Sequence, residues 1–278
     1  MTALNEAKAL GYVVKKPDIN LSTGEFTIKG KELIPSFASL KYVGKAVVGE
    51  INDFRPYKTV EDLLWTKNQL HTAWRHSKFN KRALSTLIKM EAFDSMGVVG
   101  QDKVFKNYKQ MHEVLVEKSD LLKKAISRKK NRNYEELLKQ FIEEVQNIPD
   151  WTTDEKTQNQ FMLSGSVDLG LICTPEIENF LVSNEIDPIE RYESDLSNYW
   201  AIVQTSEVVT AKTGRKYLKL GLLGSDASLH KVNVWNYMGS KDEQEKLKKN
   251  SIIVATFRKD DYGMSTNMKK IYRIREDA

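Results

Sequence analysis

The chain has 278 residues, 40% hydrophobic and 29% charged, with a net charge of +5 and a single cysteine, Cys173. That length allows two domains and a connector. One cysteine excludes a disulfide framework or a cysteine-rich metal cluster and favours a reducing, cytoplasmic setting. No apolar run reaches membrane-spanning length, and the first residues lack a signal-peptide pattern, so no membrane partner is expected. Charge is segregated, with +1 over residues 1–35, +4 over 36–97, −6 over 98–198 and +6 over 199–278. Two basic blocks around an acidic connector fit two polyanion-facing modules, or else two ordinary solvated surfaces.

In chain order, Leu4, Ala7 and Leu10 are spaced as the end of a helix stopped at Gly11. Tyr12–Val14 and Phe26–Ile28 read as short extended runs, separated by the turn-rich Pro17–Asn20 and Ser22–Gly24. Residues 1–35 are too few for a domain and read as the tail of an upstream one.

Leu40 to Ile51 carries apolar Leu40 and Val43 before Gly44, then Ala46, Val47 and Ile51 at helical spacing. A glycine there is expected to take positive φ and to expose amide N–H groups at the start of the next helix. Beside Lys41 and Lys45, such a cluster makes a phosphate seat that reads no base. This is helix-hairpin-helix logic, although an ordinary corner between two helices carries the same pattern. Thr59–Trp65 reads as an N-capped helix, with Thr59 three residues before Asp62. In Lys81–Met90, Ala83, Leu84, Leu87 and Ile88 line one helical face. Trp65, Trp74 and Phe79 read as core.

Gln101–Gln146 is a long polar helical stretch broken around Asn131–Asn133. The cluster Arg128-Lys129-Lys130 before the break is either a phosphate contact or a solvated loop. Another helix is expected from Glu155 to Gly170. From Tyr199 the period changes to alternation. Strands are expected at Ala201–Thr205, Tyr217–Leu222, His230–Trp235, Ile252–Phe257 and Lys270–Ile274, with Glu207–Ala211 leading into the turn Lys212–Arg215 and a charged helix over Lys241–Lys249. Short antiparallel strands with one helix before the fourth strand fit a five-stranded OB-type barrel. The fold class is therefore α+β and multidomain: a tandem helix-hairpin-helix domain over 36–97, an acidic helical connector over 98–198, and the barrel over 199–278.

No pattern supports catalysis. His71, His76, His112 and His230 lack partners at metal-ligand spacing, no phosphate-binding glycine motif occurs, and Asp260-Asp261 point to opposite strand faces. No metal or cofactor is expected in this chain. In the barrel, Lys212, Arg215, Lys216, Tyr217, Lys231, Trp235, Tyr237, Arg258 and Tyr262 are candidate single-strand contacts, with rings for bases and cations for phosphates. Alternation places Tyr217 with Lys219, and Trp235 with Lys231 and Asn233, opposite the leucines and valines. Packing within the barrel is the competing role for both rings.

The order of these pieces resembles the C-terminal half of the bacterial DNA polymerase III alpha subunit, the C-family polymerase. Glu6–Gly11 followed by Pro17–Asn20 is similar to the end of that family's fingers domain. Leu40–Ile51 is similar to its first hairpin, and Tyr57–Leu63 to the segment after it. Asn80–Leu84, with Leu87–Lys89 and Ala92–Gly97, resembles the second hairpin. Leu169–Ile172 with Pro175 resembles the link into the OB domain, and Lys212–Arg215 its first barrel turn. The resemblance implies duplex-backbone contacts at Lys41, Val43, Gly44, Lys45, Asn80, Lys81 and Arg82, and a single-strand-binding barrel. It also implies a polymerase active site, with its Mg2+, on a region outside this chain. A catalytic polymerase chain and a sliding clamp become expected partners; Gln158–Met162 has roughly the spacing of a clamp peptide. The chain reads as a fragment, one product of a split gene of the kind phages carry, or a separate subunit. The alternative is a stand-alone single-strand-binding accessory protein. Two residues depart from the family pattern. Tyr42 replaces the hairpin's first glycine, and Glu91, expected to repel phosphate, stands where a small residue is usual.

Overall fold

A computed structural model describes residues 7, 10–67, 72–127, 133–165, 169–211, 213–226, 228–260 and 263–274. The chain divides into two compact units, Leu10–Val167 and Asp168–Ala278, the latter with Met1–Ala9. The helix expected within residues 2–11, the cluster Arg128–Lys130, Lys212 and Tyr262 fall wholly or largely outside the described residues.

The first unit opens on a small sheet, β1 (Val13–Val14), β2 (Thr27–Lys29) and β3 (Glu32–Ile34), in the order β1-β3-β2. Only two of these strands are legible as extended runs in the sequence. The loop between β1 and β2 is tied into the helical body. Arg55 Nε donates to the Ile19 carbonyl at 2.6 Å, and Tyr57 N to Asn20 Oδ1 at 2.8 Å. Ile19 is fully buried.

Helix α1 is Lys45–Asp53 and α2 is Lys81–Lys89. Val47 and Ile51 of α1, with Val48, pack into one core with Ala83, Leu84, Leu87 and Ile88 of α2, while Ala46, expected on the same face, is exposed. The chain before Gly44 is not a full helix; Phe37–Ser39 makes one 3₁₀ turn, and the segment reaches α1 through Tyr42 at φ +69°. The helix expected over Thr59–Trp65 is likewise one 3₁₀ turn, Glu61–Leu63. Trp65 begins β4 (Trp65–Lys67), which pairs with β5 (Thr72–Trp74). Asp62 accepts the amides of Lys58 and Thr59, and Thr59 Oγ1 accepts the Asp62 amide, but the N-cap of the turn is Val60, without a side-chain cap.

Helices α3 (Tyr108–His112), α4 (Ser119–Ser127), α5 (Tyr134–Val145) and α6 (Thr153–Ser164) complete the unit, with a π-helical turn at Glu113–Glu117 after α3. A capping box between Thr152 and Glu155 starts α6, and Gly165 at φ +74° stops it. Among the described residues no helix is long and apolar enough to cross a membrane.

The second unit begins with α7 (Pro175–Ser183), which has proline in its first turn and a Thr174 cap. It continues as a curled sheet: β6 (Asp187–Pro188), β7 (Asn198–Thr210), β8 (Lys216–Leu223), β9 (Leu229–Trp235), β10 (Ile252–Thr256), β11 (Arg258–Asp260), β12 (Gly263–Asn267) and β13 (Ile271–Arg273). Helix α8 (Lys241–Lys246) precedes β10. The pairing path is β11-β12-β9-β8-β7-β10-β13. Only Phe257 separates β10 from β11, so the path from β7 round to β12 returns to one bent strand, as in an OB-like barrel. Leu218, Leu220, Leu222, Val232, Val234, Ala201, Val203, Ile253 and Phe257 fill it.

Two expectations are corrected here. The strand expected at 201–205 is longer: Glu207–Thr210, read as leading into a turn, continues it as β7, whose register shifts between Val203 and Thr205. That bulge bends it enough to serve both sides of the curl. The final barrel strand is not Lys270–Ile274 but β12, which runs parallel to β9, while β13 adds to the far side of β10.

Candidate nucleic-acid interface

In the first hairpin, buried Leu40 and Val43 anchor the turn and leave Lys41, Tyr42, Gly44 and Lys45 exposed. The Lys41 amide donates to the Leu163 carbonyl at 2.8 Å, which pins the turn to the last turn of α6. Gly44 does not take positive φ. It is extended, at φ −78° and ψ 173°, and is the N-cap of α1. The left-handed position is Tyr42, where the family pattern has glycine; a non-glycine residue there costs of order 1 kcal/mol. The Arg82 guanidinium lies 5.0 Å above the Tyr42 ring and joins α2 to the turn. No side chain caps α1, and no atom lies within 4 Å of where a Gly44 Cβ would stand. Neither Lys41 nor Lys45 pairs with a carboxylate among the described residues. Val47 N donates to the Gly44 carbonyl at 2.9 Å, so the Lys45 and Ala46 amides, without a side-chain cap and next to exposed Lys41 and Lys45, are the donors available to an anion.

The start of α2 is built differently. The Asn80 side chain accepts from Arg82 N at 3.0 Å and Ala83 N at 3.1 Å, so it caps its own helix. Glu50, on α1, accepts Ser77 N and Lys78 N at 2.8 Å each, together with Phe79 N and the Ser77 hydroxyl. Burial alone pushes the Glu50 carboxyl up; the amides outweigh it and hold the group below the usual carboxylate range. His76 Nδ1 is 3.6 Å from Glu50, but burial pushes the imidazole down to about 4. At neutral pH that contact is not an ion pair. Lys81 is half-buried and Arg82 is exposed.

The second hairpin turn follows α2. Glu91 occupies its left-handed position at φ +55°, and Gly97 closes the one-turn helix Asp94–Met96 at φ +61°. The Glu91 side chain is only 12% exposed and pairs with Lys16 and, at 3.1 Å, with Lys156. Lys156 also meets Asp150 at 2.6 Å. Asp18 accepts the Ser95 amide at 3.0 Å and the Ser95 hydroxyl at 2.7 Å. Lys16, Asp18 and Lys156 carry no local sequence signal for this role, because they meet Glu91 and Ser95 only through the fold.

In the barrel the alternation holds. Leu218 and Val234 pair in the core, and their neighbours Tyr217 and Trp235 stack on the outer face, with ring centroids 4.9 Å apart and planes at 33°. A row of paired positions, Lys219, Asn233, Ser265 and Arg258, crosses the same face, with Glu207 opposite Lys219 at its edge. Lys231 lies on this face beside Gly221. Lys216 alternates to the other side, and Arg215 sits in the exposed turn whose carbonyl accepts the Ala211 amide. Lys219 and Asn233 join the candidate face; alternation with leucines and valines is the signal that finds them. Tyr237 packs partly against the core. The segment Gln158–Met162 is part of α6, with Phe161 and Met162 exposed, and is not an extended peptide. Among the described residues no group of three or more His, Cys, Asp or Glu is placed to hold a metal ion.

Residues 11–102 match the family model described as a helix-hairpin-helix motif. Over 98 residues the chain is 32% identical to the DNA polymerase III subunit alpha of Thermus aquaticus. Over 98 residues it is 33% identical to the subunit of that name from Saccharopolyspora erythraea. Each match covers 34% of this chain and 8% of the relative's length. These matches support the resemblance to a C-terminal region of that subunit, carried by the hairpin segment.

Proposed function

We propose that this chain is a DNA-binding module of a C-family replicative polymerase, holding DNA while nucleotide addition takes place on a region outside it. The observation that carries the reading is the uncapped start of α1. It lies between Lys41 and Lys45, in a segment that matches a helix-hairpin-helix motif. Amides and two cations grip backbone phosphate without reading bases. The outer barrel face adds single-stranded template, with Tyr217 and Trp235 as the stacking platform and Lys219, Lys231 and Arg258 along the backbone. The partner is a chain that carries the polymerase carboxylates and their Mg2+.

A stand-alone single-strand-binding protein is the second reading, and the Tyr217–Trp235 pair favours it because such a platform works without a polymerase. Fluorescence anisotropy with labelled single-stranded, duplex and primer-template DNA across a salt series separates the two. The polymerase reading expects a preference for the junction. It also expects Lys41→Ala with Lys45→Ala to reduce the salt slope for duplex by about two. Trp235→Ala should cost roughly 1–3 kcal/mol on single strands only. Tight single-strand binding indifferent to a junction would favour the stand-alone protein. A double lysine variant that binds duplex like the parent would refute the seat at α1.

A further inference from the structure

The two hairpins differ in what fills the place of an anion. At the first, the helix start is uncapped and its lysines have no carboxylate partner among the described residues. At the second, two of the chain's own carboxylates already stand there. Asp18 takes the amide and hydroxyl of Ser95, in the first turn after the bend, at 3.0 and 2.7 Å. Glu91, in the bend itself, takes Lys16 and Lys156, the latter at 3.1 Å.

Position and burial argue that this is a built arrangement. Glu91 holds a left-handed backbone conformation that L residues disfavour, yet its side chain is largely buried between the two ammonium groups. The Glu91 carbonyl and the Asp94 carboxylate both accept from the Tyr108 hydroxyl, which fixes the turn from the other side. Asp18 is 7% exposed and also accepts the Asn20 amide at 2.8 Å. A carboxylate held by an amide, a hydroxyl or two lysines uses the donors that a backbone phosphate would use.

We infer that Asp18 and Glu91 are internal substitutes for DNA phosphate that close the second hairpin, so that duplex is held through the first hairpin alone. Glu91 is then a specificity-determining residue: it sets how many phosphates the module contacts. This rests on the DNA-binding reading above, and one of its tests does not.

Glu91→Gln keeps the side chain's shape and removes its charge; Glu91→Gly removes the side chain and suits φ +55°, should the glutamine variant fold poorly. Both should bind duplex more tightly at low salt, with the log–log salt slope steepened by roughly one unit for the released Lys16, since Lys156 keeps Asp150 at 2.6 Å. In the parent, Lys16→Ala and Lys156→Ala should leave duplex affinity within about twofold, unlike Lys41→Ala and Lys45→Ala. Affinity and slope unchanged in both Glu91 variants would overturn the inference. So would Lys16→Ala or Lys156→Ala being as damaging as the first-hairpin changes. The second test needs no DNA. Inorganic phosphate titrated into thermal melts should raise the Tm of Glu91→Gln more than that of the parent, because the vacated Lys16 accepts it. Equal phosphate responses would overturn the inference. A larger response in the variant with no duplex binding by either protein would leave the closed hairpin standing and defeat the DNA-binding reading instead.

Discussion

Lowering the pH from neutral to about 5 loads protons onto the unfolded chain that the folded Leu10–Val167 unit resists at His76 and His112. Burial pushes both imidazoles from 6.5 to about 4. Phe54, Tyr57 and Phe79 surround His76. Ser85 Oγ lies 2.8 Å from His112 Nε2, and Lys89 and Lys81 add to the burial. Both folded values lie below the unfolded one, so the stability they give is complete above 6.5 and is lost as pH falls toward 4. Each pH unit travelled between those two values removes about 1.4 kcal/mol per imidazole. At about pH 5 each site therefore costs about 2 kcal/mol, and the two together about 4. For a unit of this size that lowers Tm by about 8–16 °C. Thermal melts of the full chain from about pH 7.5 to 5 measure the loss, and imidazole proton NMR titrations assign it to each ring. In His76→Phe, which fits the aromatic surroundings, about half of the pH-dependent drop should vanish. A His76→Phe protein whose Tm falls with pH as steeply as the parent's would refute the reasoning, as would either imidazole titrating near 6.5.

Two further outcomes follow from local geometry. Asn80→Ala strips the cap from α2 and should cost about 1 kcal/mol, read by denaturant unfolding, while Asn80→Asp should restore most of it; equal losses in both would refute the capping role. Gly221 lies opposite the bulge in β7, where a Cβ would stand 2.5 Å from Thr205 Oγ1. Gly221→Ala should therefore destabilise the barrel by about 1–3 kcal/mol, and Gly221→Ala with Thr205→Ser should not recover it, because the hydroxyl remains; full recovery would place the clash on the Thr205 methyl.

What the sequence makes legible here is whatever repeats within a few residues. The α2 face and the Leu/Val alternation of β8 and β9 are readable because one side of each packs into a core. The same alternation puts Tyr217 and Trp235 outward, where they stack. Strand β12 is not legible: Met264, Ser265 and Thr266 lack an apolar rhythm, and the strand is fixed by parallel pairing with β9. Glycine's preference assigns the left-handed bend of the first hairpin to Gly44, whereas the chain imposes it on Tyr42 and braces the ring with Arg82. Asn80 directly before a periodic run is an N-cap signal, and the resemblance to a DNA-contacting hairpin draws attention from it. Glu91 taken alone is expected to repel phosphate; its charge is instead met by Lys16 and Lys156, which no local pattern connects to it.

The contacts that close the second hairpin are also distant along the chain. Lys16 reaches Glu91 across 75 residues, Asp18 reaches Ser95 across 77, and Lys156 arrives last. Such long loops cost chain entropy before any contact rewards them. During synthesis, α1 can form its own helical hydrogen bonds as soon as it emerges, although the turn before it is pinned only once Leu163 arrives. Glu91 must wait with one ammonium partner until α6 has left the ribosome. The nascent chain thus passes through an interval in which its second hairpin carries an under-neutralised carboxylate, and translation through residues 92–156 sets how long that interval lasts.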